Sequence, residues 1–190
     1  MMKFAIVGHS YVRRLQQVFP ARLNIDNVDF DCSFFGYSGA KFYILVANDS
    51  FVSQLKTFDP DFVLVLLGGN DFSNQLSLTT VKEHCLEFYR KLRNWLPAVK
   101  IIASQVELRY YSDNNRFRCP TGIDYHYQRK YLNRFIYKLK CKDFLFRLDG
   151  ISRLDNKALY VDEVHLNTQG LEKLTTLIKS GLSYWLEHSK

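Results

Sequence analysis

The sequence predicts a three-layer α/β/α sandwich around a central parallel sheet of about five strands. Two unbroken apolar runs, Phe4-Ala5-Ile6-Val7 and Phe62-Val63-Leu64-Val65-Leu66-Leu67, read as strands covered on both faces, as the strands of a parallel sheet are. Segments with apolar residues at helical spacing stand between the strands, and this alternation continues to the end of the chain. Repeated strand–helix–strand units make right-handed crossovers, which bring the C-terminal end of every strand to one edge of the sheet.

The first strand stops at Gly8-His9-Ser10, and a helix with Val12, Leu15 and Val18 on one side follows. A serine in such a turn lies where open α/β sheets place their ligands and where backbone N–H groups receive negative charge. The second strand, within residues 27–35, alternates apolar and acidic residues in its early half, as an edge strand with one wet face does. Gly36-Tyr37-Ser38-Gly39-Ala40 ends it, and one helix is expected over about residues 41–58, carrying Ile44, Leu45, Phe51, Val52 and Leu55. Asp59-Pro60-Asp61 turns the chain into the most apolar strand, which ends in Gly68-Gly69-Asn70-Asp71. Thr80 is expected to cap the next helix, with Glu83 completing a capping box. Val81, Cys85, Phe88, Tyr89, Leu92 and Leu96 form its buried stripe, and Pro97 ends it.

Ile101-Ile102-Ala103-Ser104 is the next strand, and a polar, aromatic loop runs from Glu107 to about Gly122. Loops of that length in compact domains tend to be functional. A helix over residues 127–139 places Tyr131, Phe135 and Leu139 at fourfold spacing, and Phe144-Leu145-Phe146-Arg147-Leu148 is the last strand. Residues 149–164 read as loop. Asn167 then caps a C-terminal helix whose Leu171, Leu174, Ile178, Leu182 and Trp185 face inward.

The hydrophobic content of 47% and charged content of 24% are globular values. With 190 residues and no linker or repeat, a single domain over residues 1–190 is expected. No apolar stretch is long enough to span a bilayer, and no apolar run leads to a small-residue cleavage site. An intracellular, cytoplasmic location follows as an expectation. The four cysteines, Cys32, Cys85, Cys119 and Cys141, lack any Cys-x-x-Cys or paired Cys/His spacing, so free thiols are expected and no metal or other cofactor. The net charge of +7 is carried by residues 109–142, which hold nine Lys/Arg against two Asp. That local basic surface suits an anionic substrate or nucleic acid.

Four loops on the expected sheet edge carry Gly8-His9-Ser10, Tyr37-Ser38-Gly39-Ala40, Gly68-Gly69-Asn70-Asp71 and Asp162-Glu163-Val164-His165-Leu166. Each is common alone, but in this order and at these strand ends the set is specific. It resembles the four blocks of the SGNH (GDSL-type) hydrolase family, a flavodoxin-like fold, and the resemblance covers nearly the whole chain. One position departs from the family pattern, since His9 stands where the family usually has Asp. That residue is expected to support the loop, so the usual hydrogen bonding there is put in question while the catalytic set is intact.

The resemblance implies a serine esterase, and the residue types fit the chemistry. A serine hydroxyl needs a base. His165 is suited to that task near neutral pH, and Asp162, three residues earlier, can accept the other ring N–H and fix its orientation. The backbone N–H groups of Ser10 and Gly39 and the Asn70 side-chain amide can receive the oxyanion. Tyr37, Phe72, Arg109, Tyr110, Arg116 and Arg118 are the expected substrate contacts. The substrate class implied is an ester of a small acyl group, a sugar O-acetyl group or a lipid, and the basic loop favours an anionic leaving group. The alternative is a nucleic-acid-binding module, because some SGNH-like domains bind RNA and others are encoded by retroelements. Residues 109–142 interleave basic and aromatic side chains, which suits phosphate contacts and base stacking.

Overall fold

The computed structural model of the protein describes residues 1–74, 76–107, 109, 125–148, 151, 154–162 and 164–189. Six strands form one sheet: β1 (Met2–Gly8), β2 (Arg22–Ile25), β3 (Val28–Gly36), β4 (Phe62–Leu66), β5 (Lys100–Ser104) and β6 (Phe144–Phe146). Their order across the sheet is β2-β3-β1-β4-β5-β6. β3, β1, β4, β5 and β6 run parallel, as the sequence predicts. The sixth strand is an addition: β2 pairs antiparallel with β3. Asp26 and Asn27 between them both adopt positive φ, 51° and 64°, the backbone that a two-residue hairpin with the right twist requires.

Among the described residues, six helices cover the two faces: α1 (Ser10–Leu15), α2 (Phe42–Val46), α3 (Asp49–Phe58), α4 (Leu78–Trp95), α5 (Tyr125–Lys138) and α6 (Thr168–Glu187). The β1 and β4 side chains alternate between two cores. Ala5, Val7, Val63 and Val65 pack under α2 to α5 with Phe42, Leu45, Phe51, Phe88, Leu92 and Leu132. Phe4, Ile6, Phe62 and Leu64 pack under α1 and α6 with Val12, Leu15, Leu174, Ile178, Leu182 and Trp185. Burying one such side chain is worth about 1.5–3 kcal/mol, so both faces contribute to holding β1 at the centre of the sheet.

Two local expectations are corrected. The single helix over residues 41–58 is two, because the Asn48 side chain accepts the backbone N–H of Phe51 and starts α3 afresh. The cap of α4 is Ser77, whose Oγ accepts the Thr80 N–H at 3.1 Å; Thr80 lies inside the first turn. The buried stripe of α5 is Tyr125, Gln128, Leu132 and Ile136, and Tyr131 and Phe135 lie beside it, half-buried. Residues 149–164 hold a short 3-10 turn, Leu154–Leu159, followed by an antiparallel bridge between Tyr160 and Leu166. Asn167 caps α6 as expected, its Oδ1 accepting the Gly170 N–H at 2.9 Å.

Candidate active site

The parallel strands bring the ends of β1, β3 and β4 side by side, with Gly8 in register with Gly36 on one side and Leu66 on the other. Gly8 is demanded by this closeness. A Cβ there would stand 2.3 Å from the Leu66 carbonyl oxygen and 2.8 Å from Val12 Cγ2. The chain therefore passes from strand to helix in two residues, and Ser10 opens α1. The next two loops are tied in. Tyr37 N–H donates to the Gly8 carbonyl at 3.0 Å, and Asn70 Nδ2 donates to the Ala40 carbonyl at 3.2 Å. Gly39 lies exposed at the tip of its loop with φ of +70°, a conformation that glycine adopts without strain.

The fourth loop comes from the far end of the sequence. The Tyr160–Leu166 bridge and a bond from Val161 N–H to the His165 carbonyl close it. The Tyr11 hydroxyl, on α1, donates to the Val164 carbonyl and fastens the loop over Ser10. Asp162 Oδ1 accepts the backbone N–H groups of Val164 and His165 at 2.7 and 2.6 Å, which turns the loop back on itself. Its Oδ2 stands 2.8 Å from His165 Nδ1. His165 Nε2 stands 3.2 Å from Ser10 Oγ. Partial burial raises the Asp162 carboxyl, but the His165 ring and the two backbone N–H groups outweigh it and hold the group down at about 2. Asp162 is thus ionised at any working pH, and an ionised carboxylate can fix the ring N–H on its side.

Beneath these loops lies a buried polar cluster. His9 Nδ1 accepts the Tyr11 N–H at 3.5 Å, and His9 Nε2 lies 3.1 Å from Glu107 Oε1. Arg109 donates to the same Oε1 from Nη2 at 3.1 Å and from Nε at 3.3 Å. His9, Glu107 and Arg109 are each less than 5% exposed. Burial pushes the Glu107 carboxyl up, yet His9 and Arg109 together hold it well below the usual carboxylate range. Asp71 accepts the Phe42 N–H at 3.1 Å through Oδ1, and its buried Oδ2 has no hydrogen-bond partner among the described residues. Burial, only partly offset by that hydrogen bond and Lys41, pushes Asp71 up to about 7.

This has a measurable consequence. The unfolded acid titrates near 4, so between about pH 4 and pH 7 only the folded chain holds the proton, and stability falls as pH rises through that window. Asp71→Asn keeps an acceptor for Phe42 and removes the titration. Melting temperatures from pH 4 to 8 are expected to show a flatter profile for the variant, with its gain at the alkaline end and an upper bound of about 4 kcal/mol.

The expected substrate contacts are placed differently from one another. Tyr37 is half-buried and meets the Phe51 ring edge-on at 6.0 Å. Phe72 is buried against Tyr125, with ring centroids 5.7 Å apart. Arg109 turns inward to Glu107 and Asn70. Tyr110, Arg116 and Arg118 lie outside the described residues, as do Glu163 and Cys119. Cys32, Cys85 and Cys141 are free thiols. Among the described residues no group of His, Cys, Asp and Glu is placed to hold a metal ion, and no helix is long and apolar enough to cross a membrane.

Fold and site together define a doubly wound α/β protein that lines up an acid, an imidazole and a hydroxyl at the C-terminal edge of its sheet. The family model of the GDSL-like lipase/acylhydrolases matches residues 6–173, and the chain belongs to that family. No curated protein sequence matches it. Solved structures with the same fold include a GDSL-like lipase from Bacteroides thetaiotaomicron, 17% identical, covering 96% of this chain and 88% of its own, with a TM-score of 0.67. A carbohydrate esterase family 3 protein from Talaromyces cellulolyticus is 16% identical over 99% of both chains, with a TM-score of 0.66. A lipase/acylhydrolase from Enterococcus faecalis is 15% identical over 96% of both, with a TM-score of 0.65.

Proposed function

We propose that the protein is a serine esterase in which Ser10 is the nucleophile, His165 the general base and acid, and Asp162 the residue that orients the imidazole. The observation that carries this reading is the line from Asp162 Oδ2 to His165 Nδ1 and from His165 Nε2 to Ser10 Oγ, at 2.8 and 3.2 Å. Ser10 Oγ attacks the ester carbonyl while His165 takes its proton. The tetrahedral oxyanion is received by the backbone N–H groups of Ser10 and Gly39 and by the Asn70 amide. As the acyl–oxygen bond breaks, His165 gives the proton to the departing alkoxide. Water then repeats the sequence on the acyl-enzyme, releasing the carboxylic acid and regenerating Ser10.

The substrate class we adopt is an ester of a short acyl group. A carbohydrate esterase of the same fold spans the same length of chain. Arg109 is paired with Glu107, so any preference for an anionic leaving group rests in this reading on Arg116 and Arg118. The test is hydrolysis of p-nitrophenyl acetate and of a longer-chain ester, together with labelling by a fluorophosphonate. One label per chain, mapped to Ser10 by peptide mass spectrometry and absent from Ser10→Ala, is the expected result. Label elsewhere, or hydrolysis that survives Ser10→Ala, would overturn the reading.

A further inference from the structure

We propose that Arg109 is a positioning residue of this site: anchored on Glu107, its guanidinium holds the Asn70 amide with the N–H₂ side turned to the oxyanion. This inference rests on the serine-esterase reading. Arg109 Nη2 donates to Asn70 Oδ1 at 2.8 Å. A guanidinium only donates hydrogen bonds, whereas an Asn amide donates from one end and accepts at the other. Arg109 can therefore hold only the Oδ1 end, and the flipped amide would set N–H₂ against guanidinium. On the opposite side Asn70 Nδ2 donates to the Ala40 carbonyl. The two contacts fix both ends of the amide, and Ala40 adjoins Gly39, whose N–H is the neighbouring donor in the proposed oxyanion site.

The guanidinium is itself held on two sides, by Glu107 and by Tyr125. Nε and Nη2 reach Glu107 Oε1, and the guanidinium carbon lies 5.6 Å from the centre of the Tyr125 ring. The Tyr125 hydroxyl donates to the Glu107 carbonyl at 3.0 Å, so the stacking ring and the carboxylate belong to one unit. His9 adds a contact to Glu107 from the residue just before the nucleophile. The backbone leaves room for this unit at one place. A Cβ on Gly69 would lie 1.9 Å from Glu107 Oε1 and 2.5 Å from Arg109 Nη2. The glycine preceding Asn70 is thus the space into which the Glu107–Arg109 pair fits, a different requirement from the positive φ of 112° at Gly68.

A double-mutant cycle separates positioning from general support. Asn70→Ala removes one oxyanion donor and is expected to cost about 10²–10³ in kcat. Arg109→Met is expected to cost about 10² in kcat with KM changed less than about twofold, since a donor used only in the transition state does not alter ground-state binding. In the Asn70→Ala background Arg109→Met should cost nothing further. A full additional loss in that background would overturn the proposal, as would undiminished kcat in Arg109→Met alone. Because Arg109→Met leaves the Glu107 carboxylate buried without its partner, the cycle is repeated with the neutral pair Glu107→Gln/Arg109→Met, and each variant's fold is checked by circular dichroism and melting. Absence of Ser10-dependent hydrolysis in the wild-type chain would overturn the esterase reading and this one with it. Ser10-dependent hydrolysis combined with an additive cycle would overturn this one alone.

Discussion

His165→Ala is expected to lower kcat on p-nitrophenyl acetate by about 10⁴–10⁶, Ser10→Ala by a similar factor, and the double variant by no more than either alone. The non-additivity is the informative part. In the proposed mechanism His165 Nε2 has one task at Ser10 Oγ, 3.2 Å away, and without the hydroxyl there is no proton for it to take. Two residues serving the reaction independently would multiply their effects. Steady-state kinetics on the two single variants and the double variant decide the matter, and a product of the two single factors in the double would refute a shared mechanism. The residual rate should come from the oxyanion donors and binding alone.

The second large effect is expected from His9→Asp, which installs the residue that the family usually carries. The new carboxylate would enter a site less than 2% exposed, where the present imidazole nitrogen stands 3.1 Å from Glu107 Oε1. The shorter aspartate stops short of that nitrogen's place, but like charges within about 4–6 Å and out of water still disfavour each other's ionisation. One would keep a proton, with its titration raised far above that of the unfolded acid, so the variant's stability would fall as pH rises. At neutral pH the loss is expected to be about 3–5 kcal/mol, the scale of an uncompensated buried charge. Urea unfolding at pH 5 and pH 8 measures it. A smaller loss at pH 5, and recovery in His9→Asp/Glu107→Gln, are the expected results. A variant as stable as wild type at pH 8 would show that Glu107 does not answer to residue 9.

Much of this was legible in the sequence because it is local. The apolar runs of β1 and β4, the abrupt stop at Gly8 and the Asn167 cap each announce themselves within a few residues, and all three stand in the structure. The proposed triad and oxyanion residues are marked by the order of four short blocks, not by any single one. Smaller devices are obscured where two signals compete. Asp26-Asn27 carries a hairpin signal, but the short β2 it introduces has only Leu23 and Ile25 to mark it. Asn48 interrupts an apolar periodicity that otherwise runs on from Ile44 to Leu55, so two helices read as one. Ser77 and Thr80 are both capping residues three apart, and a capping box at Thr80 masked the true start.

The Glu107–Arg109 pair was not legible, because nothing local turns an arginine inward at the start of a polar loop. The cluster is drawn from three separate strand ends: His9 after β1, Asn70 after β4, and Glu107 and Arg109 after β5. The sequence held one hint, the histidine in place of the family's usual aspartate. In the structure that histidine meets Glu107, its Nε2 lying 3.1 Å from Glu107 Oε1.

The 155 residues that separate Ser10 from His165 also set a clock on the site. At roughly 5–20 residues per second of synthesis, the proposed nucleophile is made roughly 8–30 s before its proposed base. Throughout that interval the nascent chain carries an inert serine. The loop that brings His165 is fastened at its far end by the turn into α6 and at its near end by Tyr11. In the proposed mechanism, hydrolysis would therefore begin only once that loop has closed over Ser10.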